Sequence, residues 1–244
     1  RKIQARNWIW GKDVRRAMAV GLQAGLVPAG PLPGVRYKRR GLVSFGYDHS
    51  GHGENPAASK SALVVCEQVG NFVTFPFVRT WPAGTDDRGV ERDLFGAWDY
   101  FRPDYAMGDA YGLGMLTTLN DRLYAGGLTT IDRRTVGDGQ STASTWGAWP
   151  FAPIRFEGQV RHGMAGRRRA AFHNGKAGIP VFDEDGRDEL DATFHALVRQ
   201  LGNIKALPTK AAYSSFAQAD PKVGDDLFDA ACAVVWALVT RGMD

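Results

Sequence analysis

Apolar positions along the chain follow two different periods, and the switch between them sets out most of the elements. Over residues 41–48, 61–68 and 71–79, β-branched and aromatic side chains are dense, and Gly70-Asn71 supplies a turn between the last two runs. Such runs suit a pleated, packed surface, so three strands are predicted, the second and third joined as a hairpin. From residue 89 to 101 the spacing changes to Val90, Leu94, Ala97, Trp98 and Phe101, one face of a helix that Pro103 stops. Residues 105–108 then read as a short strand running into Asp109, residues 115–125 as a helix closed by Gly126-Gly127, and residues 128–131 as a further strand. Leu190, Phe194, Leu197, Val198 and Leu201 mark another helix, and residues 227–239 the last, with Gly242 as its stop. Three antiparallel strands followed by alternating helices and strands predict an α/β fold, a mixed sheet flanked by helices.

Other segments are less regular. Residues 1–40 are basic and broken by Pro28, Gly30, Pro31, Pro33 and Gly34, which reads as a short helix and an extended linker, an arm ahead of a domain at 41–244. Arg1 stands where an initiator Met would, so an upstream domain is expected. Residues 137–147 are rich in Gly, Ser and Thr and are expected to form a mobile loop. Positive charge concentrates between 151 and 182, in Arg155, Arg161, His162, Arg167, Arg168, Arg169, His173 and Lys176, without a clear period. No internal repeat is visible.

Composition narrows the function classes only slightly. With 244 residues the chain can bury a substantial core, and a net charge of +4 permits a polyanionic partner without requiring one. Cys66 and Cys232 lack zinc or redox spacing and read as buried thiols in a reducing compartment. The longest apolar run, 230–239, falls well short of the roughly 20 residues that cross a bilayer, so no membrane anchor is expected.

The chemistry sits in three acidic clusters at element ends. Asp48 ends the first predicted strand and is followed by the turn His49-Ser50-Gly51-His52-Gly53. Asp109 repeats the arrangement before Ala110-Tyr111-Gly112-Leu113-Gly114, whose glycines let a ligand approach the backbone. Both stand where α/β sheets tend to hold ligands. Asp225-Asp226-Leu227-Phe228-Asp229 opens the last helix, where carboxylates often only cap the exposed N–H groups, a structural role that suits Asp229. Carboxylates converging in one crevice raise one another's pKa unless cations neutralise them, and hard oxygen ligands suit Mg2+ or Mn2+. Two such ions roughly 3.5–4 Å apart can activate water against a phosphodiester.

In order and setting these clusters resemble the RNase H-like superfamily, most closely the C-terminal nuclease domain of tailed-bacteriophage large terminase subunits. The residues that carry the resemblance are Gly46-Tyr47-Asp48 with Ser61-Ala62-Leu63-Val64-Val65 downstream, Gly108-Asp109-Ala110-Tyr111-Gly112-Leu113-Gly114, and Gly224-Asp225-Asp226-Leu227-Phe228-Asp229-Ala230. The resemblance implies a hydrolase, an endodeoxyribonuclease that cuts double-stranded viral DNA during packaging in the host bacterial cytoplasm. Asp48, Asp109 and one or both of Asp225 and Asp226 would hold the catalytic metal ions, Mg2+ or Mn2+, two in number, with Asp225 the leading third ligand and Asp226 close behind. It also implies an ATPase domain upstream on the same chain, with the small terminase subunit and the portal protein as partners.

For DNA contact, Arg167, Arg168 and Arg169 form the best basic cluster, with a solvated surface loop as the plain alternative. Ser59-Lys60-Ser61 is not a phosphate loop, which needs glycine directly before the lysine and another five residues earlier, where Ser59 and Glu54 stand; Lys60 is instead expected to face the acidic crevice and touch DNA. His49 and His52, in a polar turn, are expected to be exposed, with assistance near the scissile phosphate as the alternative. Trp146 and Trp149 are expected to cover the core rather than stack on bases. Competing readings are a resolvase or integrase-type nuclease on the same fold, and a non-catalytic DNA-binding scaffold whose acids are structural. A sugar-kinase or actin-like ATPase needs two such domains and a second phosphate loop, for which the chain is too short.

Overall fold

The computed structural model of the chain describes residues 6–49, 60–136, 146–183, 185, 188–209 and 214–241. In chain order the elements are β1 (Arg6–Asn7), α1 (Gly11–Gln23), β2 (Leu42–Asp48), β3 (Ser61–Val69), β4 (Phe72–Trp81), α2 (Asp87–Phe101), β5 (Tyr105–Asp109), α3 (Leu113–Ala125) and β6 (Phe151–Ile154). They continue with α4 (Gly158–His173), β7 (Ala177–Gly178), α5 (Glu189–Asn203), β8 (Ile204–Leu207), β9 (Ser215–Gln218) and α6 (Asp226–Arg241). β2, β3 and β4 are antiparallel neighbours, β5 and β6 extend the sheet in parallel from β2, and β7 joins in parallel at β4. The resulting order is β6-β5-β2-β3-β4-β7, with β1-β8-β9 as a small second sheet. This is the expected mixed sheet, antiparallel in its first three long strands and parallel thereafter.

Strand alternation divides the core in two. Val43, Phe45 and Tyr47 of β2, with Leu63, Val65, Phe77 and Trp81, face α2 and α3. Ala62, Val64, Cys66 and Phe75 face the layer of α1, α4, α5 and α6. A sheet covered on both sides buries β2 and β3 almost end to end, which explains why their sequences read as continuous apolar runs rather than strict alternation. Both cysteines are buried and free, as their sequence setting indicated.

Helix α6 lies closest to the sheet, and glycine makes this possible. A Cβ on Gly46 would fall 2.1 Å from the Ala230 carbonyl oxygen and 2.5 Å from the Val234 nitrogen. The Ser44 hydroxyl, two residues earlier on the same face, donates to the Val234 carbonyl at 2.9 Å. Backbone thus meets backbone, and α6 is fixed over β2 to within the tolerance of close packing.

Three segments differ from the sequence expectation. The described part of the expected arm, residues 6–40, is joined to the domain. Trp8, Ile9, Val14, Ala17 and Leu26 are buried, β1 pairs with β8, and the Tyr37 hydroxyl and Gly41 N–H both donate to the buried Glu67 carboxylate. Residues 128–131 form no strand, because the Leu128 N–H turns back to the Leu123 carbonyl and closes α3 instead. The basic stretch expected to be irregular contains α4, whose buried stripe is Met164, Ala165, Arg168 and Phe172. An arginine inside that stripe hides its period. Of the loop expected at 137–147, positions 137–145 lie outside the described residues, as do His52 and the Trp146 side chain.

Candidate metal centre at the carboxyl edge of the sheet

Register and parity bring Asp48 and Asp109 side by side. Tyr47 pairs with Gly108 on the neighbouring parallel strand, so Asp48 and Asp109 follow one residue later at adjacent strand ends, which lie ~4.8 Å apart in a sheet. Ser44 and Gly46 face α6, and Asp48 shares their parity. In β5 Met107 belongs to the α6 side, whereas a Cβ on Gly108 would touch Leu116 and Phe151 on the other, so Asp109 also faces α6. Asp109 additionally starts the short 3-10 turn at Ala110–Gly112, its carboxylate accepting the Tyr111 N–H at 3.2 Å.

The start of α6 supplies the remaining acids. Since Ala230 sits on Gly46, the helix's first turn overhangs the end of β2. Asp226 accepts the Lys60 backbone N–H at 2.9 Å, which ties the start of β3 to the helix. The helix's free N–H groups are capped from α5: Gln200 Oε1 accepts from Leu227 at 2.7 Å and Phe228 at 3.3 Å. Arg161 of α4 grips Asp229 through two bonds of 3.0 and 2.6 Å and reaches Asp225 at 3.1 Å. Gln218 of β9 donates to the other Asp225 oxygen at 2.7 Å. Both oxygens of Asp225 and both of Asp229 are therefore engaged within the protein.

Electrostatics tie these groups together. Burial, then the charges of Asp229, Asp109, Asp226 and Asp225, hold the Asp48 carboxyl well above the usual range. Burial pushes Asp109 up to about 6, opposed by the Tyr111 N–H and reinforced by Glu157. Asp226 rises to about 6 through burial and the Asp225 charge. Asp229 also reaches about 6, because its burial outweighs the Arg161 guanidinium. Among the described residues no group of three or more Asp, Glu, His or Cys side chains is arranged as it stands to hold a metal ion. The donor chemistry nevertheless fits a hard divalent cation: clustered carboxylates, of which Asp48, Asp109 and Asp226 are costly to ionise until positive charge is supplied.

Several sequence-predicted contacts are placed differently. Arg168 is fully buried; it donates to the Phe228 carbonyl at 2.8 Å and lies 3.6 Å from the Phe228 ring centroid, so it cannot meet a phosphate. That expectation is corrected: the arginine holds α4 to α6. Arg167 and Arg169 are exposed, the latter over the Trp8 ring at 4.8 Å. Lys60 is exposed beside Asp226. His49 is half-buried rather than exposed: its Nδ1 hydrogen-bonds the Tyr47 hydroxyl at 2.8 Å, and Gly112 leaves room for its ring, 2.8 Å from where a Cβ would stand. Trp149 is buried, as expected. Arg161, Gln200 and Gln218 were not singled out as partners of the acids; the one sequence signal for Arg161 is its spacing of seven from Arg168, one helical face, legible only once α4 is recognised.

No protein-family model and no curated protein matches the sequence. Solved structures match the fold. The large terminase nuclease of thermophilic phage G20c superposes with a TM-score of 0.57 at 13% identity, covering 96% of this chain and 98% of that one. The nuclease domain of the Thermus phage P74-26 large terminase gives 0.52 at 12% identity, with 93% of each chain covered. The HK97 bacteriophage large terminase gives 0.59 at 11% identity, covering 95% of this chain and 43% of the other. The G20c nuclease has also been solved with magnesium, cobalt and zinc bound. With a mixed sheet packed between two helical layers and superposition over nearly its whole length, the chain has the fold of the phage large-terminase nuclease domains.

Proposed function

We propose that the chain is a metal-dependent endodeoxyribonuclease that cuts double-stranded viral DNA during genome packaging, acting as the nuclease domain of a large terminase subunit. One observation supports this above the others: Asp48 and Asp109 end adjacent parallel strands on one face, with Asp226 delivered over them by α6, and the group is electrostatically strained without a cation.

Asp48, Asp109 and Asp226 would hold Mg2+ or Mn2+, two ions in this reading, and Asp226 is favoured over Asp225 because Arg161 and Gln218 occupy both Asp225 oxygens. Bound there, the cations would supply an acidified water and stabilise charge at the phosphorus and the leaving oxygen. The chain's own contribution is position. Strand ends fix Asp48 and Asp109, Gln200 fixes the start of α6, and Arg161 holds Asp229 and Asp225 back from the opening. Lys60, Arg167 and Arg169 are exposed cations available to DNA phosphates. An ATPase domain upstream on the same chain, the small subunit and the portal belong to the same reading; the HK97 large terminase is a chain of which this one spans 43%.

Plasmid and linear duplex incubated with Mg2+ or Mn2+ test the function. The parent is expected to cut both, with Asp48→Asn and Asp109→Asn slower by at least about 100-fold, the scale of losing a group that stabilises transition-state charge. Either variant cutting at the parental rate would overturn the reading, and cutting confined to branched DNA would move it to a resolvase.

A further inference from the structure

The carboxyl edge of the sheet carries more than its acids. Asp48 pairs with Ala62, so Lys60 lies just beyond the β3 end beside Asp48. Asp109 pairs with Ile154, so Arg155 is the first residue past β6, beside Asp109 on the side away from Asp48. Four neighbouring strands, in the order β3-β2-β5-β6, thus present Lys60, Asp48, Asp109 and Arg155 along one edge. Charges run plus, minus, minus, plus over three strand spacings, on the order of 14 Å.

The Arg155 end is shaped. Asp109, Ala110, Tyr111, Leu113, Arg155 and Glu157 line an open cleft of about 350 Å3. Tyr111 is 83% exposed although its backbone is held at Asp109, so its ring stands out beside the cleft without contributing to the core. Arg155 is exposed and forms no ion pair among the described residues. A rigidly based aromatic next to a free guanidinium, bordering a carboxylate centre, matches the repeating chemistry of a nucleic-acid strand: an anionic phosphate followed by a sugar whose C–H groups can pack on an aromatic face.

We propose that this cleft is a subsite for the DNA strand being cut, in which Arg155 binds a phosphate neighbouring the scissile one and the Tyr111 ring packs against the intervening deoxyribose. The inference rests on the nuclease reading above and adds a direction to it: the strand crosses the edge from Lys60 to Arg155, held on both sides of the carboxylates. Glu157 lines the same cleft and repels phosphate by like charge, so Arg155 is the group that holds the anion there.

The test uses short duplex DNA, with anisotropy for binding in Ca2+ and gel assays for cutting in Mn2+, on Arg155→Ala, Tyr111→Ala and Tyr111→Phe. Arg155→Ala is expected to weaken binding about tenfold and to lower the slope of log affinity against log salt by about 1, the mark of one lost phosphate contact. Tyr111→Ala is expected to bind about tenfold more weakly with an unchanged salt slope, and Tyr111→Phe to bind like the parent. Circular dichroism and melting temperature check that each variant folds; an exposed residue should leave both unchanged. If the parent cuts DNA while Arg155→Ala and Tyr111→Ala bind and cut as the parent does, the subsite is overturned and the nuclease reading stands. If the parent neither binds nor cuts, both fall together.

Discussion

Gly46 lies directly beneath Ala230: a Cβ on the strand residue would fall 2.1 Å from the helix residue's carbonyl oxygen. The contact is backbone on backbone, so neither side can yield by rotating a side chain. Gly46→Ala should therefore lift the start of α6 and carry Asp226 away from Asp48. A loss of about 3 kcal/mol in urea unfolding, at the upper end of overpacking costs, is expected together with loss of metal-dependent cutting. Parental stability in this variant would mean that α6 does not rest on β2 as described.

Proton linkage gives a prediction for the metal-free protein. Asp109, Asp226 and Asp229 are each held up at about 6, so the folded state binds their protons more tightly than the unfolded chain does. Their contribution to stability is full below about pH 4 and is lost as pH rises through about 6. In a chelator, the stability difference between the parent and Asp109→Asn should shift in favour of the variant by about 2 kcal/mol between pH 4 and pH 7. Mn2+ should then raise the parent's melting temperature at pH 7 and leave the variant's nearly unchanged. A pH-independent difference would contradict the burial assigned to Asp109.

Arg161 and Asp229 form a two-bond pair largely shielded from water. Removing the cation strands a carboxylate, so Arg161→Ala should cost about 2–3 kcal/mol, less than a fully buried pair because the arginine side chain remains 24% exposed. Adding Asp229→Asn to that variant should recover part of the loss, since the more buried of the two carboxylates that Arg161 holds then carries no charge and only the part-exposed Asp225 is left without it. A double variant less stable than Arg161→Ala alone would show that the pair is not the source of the effect.

Arg168 and Arg167 are adjacent in sequence and should behave oppositely. Arg168→Met keeps the volume beside Phe228 and removes a buried charge, so a change within about 1.5 kcal/mol is expected, whereas Arg168→Ala leaves a cavity and should cost about 3 kcal/mol. Neither should alter the salt dependence of DNA binding once the protein is folded. Arg167→Ala should leave stability unchanged and weaken binding, as anisotropy across a salt series would reveal.

The legible parts of this fold are those whose signal is local. β2, β3 and β4 announce themselves because each residue type agrees with a covered sheet, and α2 because Val90, Leu94, Ala97, Trp98 and Phe101 form an uninterrupted face. Asp48 and Asp109 could be placed together from the sequence because strand ends sharing an edge is a property of topology. α4 has no visible period in the sequence because Arg168 stands in its apolar stripe, where the Phe228 carbonyl and ring, both distant in sequence, make burial acceptable. The N-terminal segment read as an arm because its anchors, Trp8, Ile9 and the Tyr37 contact to Glu67, are scattered among prolines and glycines. The differing engagement of Asp225, Asp226 and Asp229 is likewise tertiary, set by side chains of α4 and β9 that no spacing near the acids foretells.

An amide, not a carboxylate, closes the start of α6. Gln200 carries no proton to gain or lose and binds hard cations weakly, so the Leu227 and Phe228 N–H groups keep their acceptor whatever happens to the neighbouring aspartates. Asp226 can gain or lose a proton, and in the proposed reading an ion, while those two bonds hold the helix that presents it. A centre of the proposed kind would therefore empty and refill while its scaffold keeps one shape.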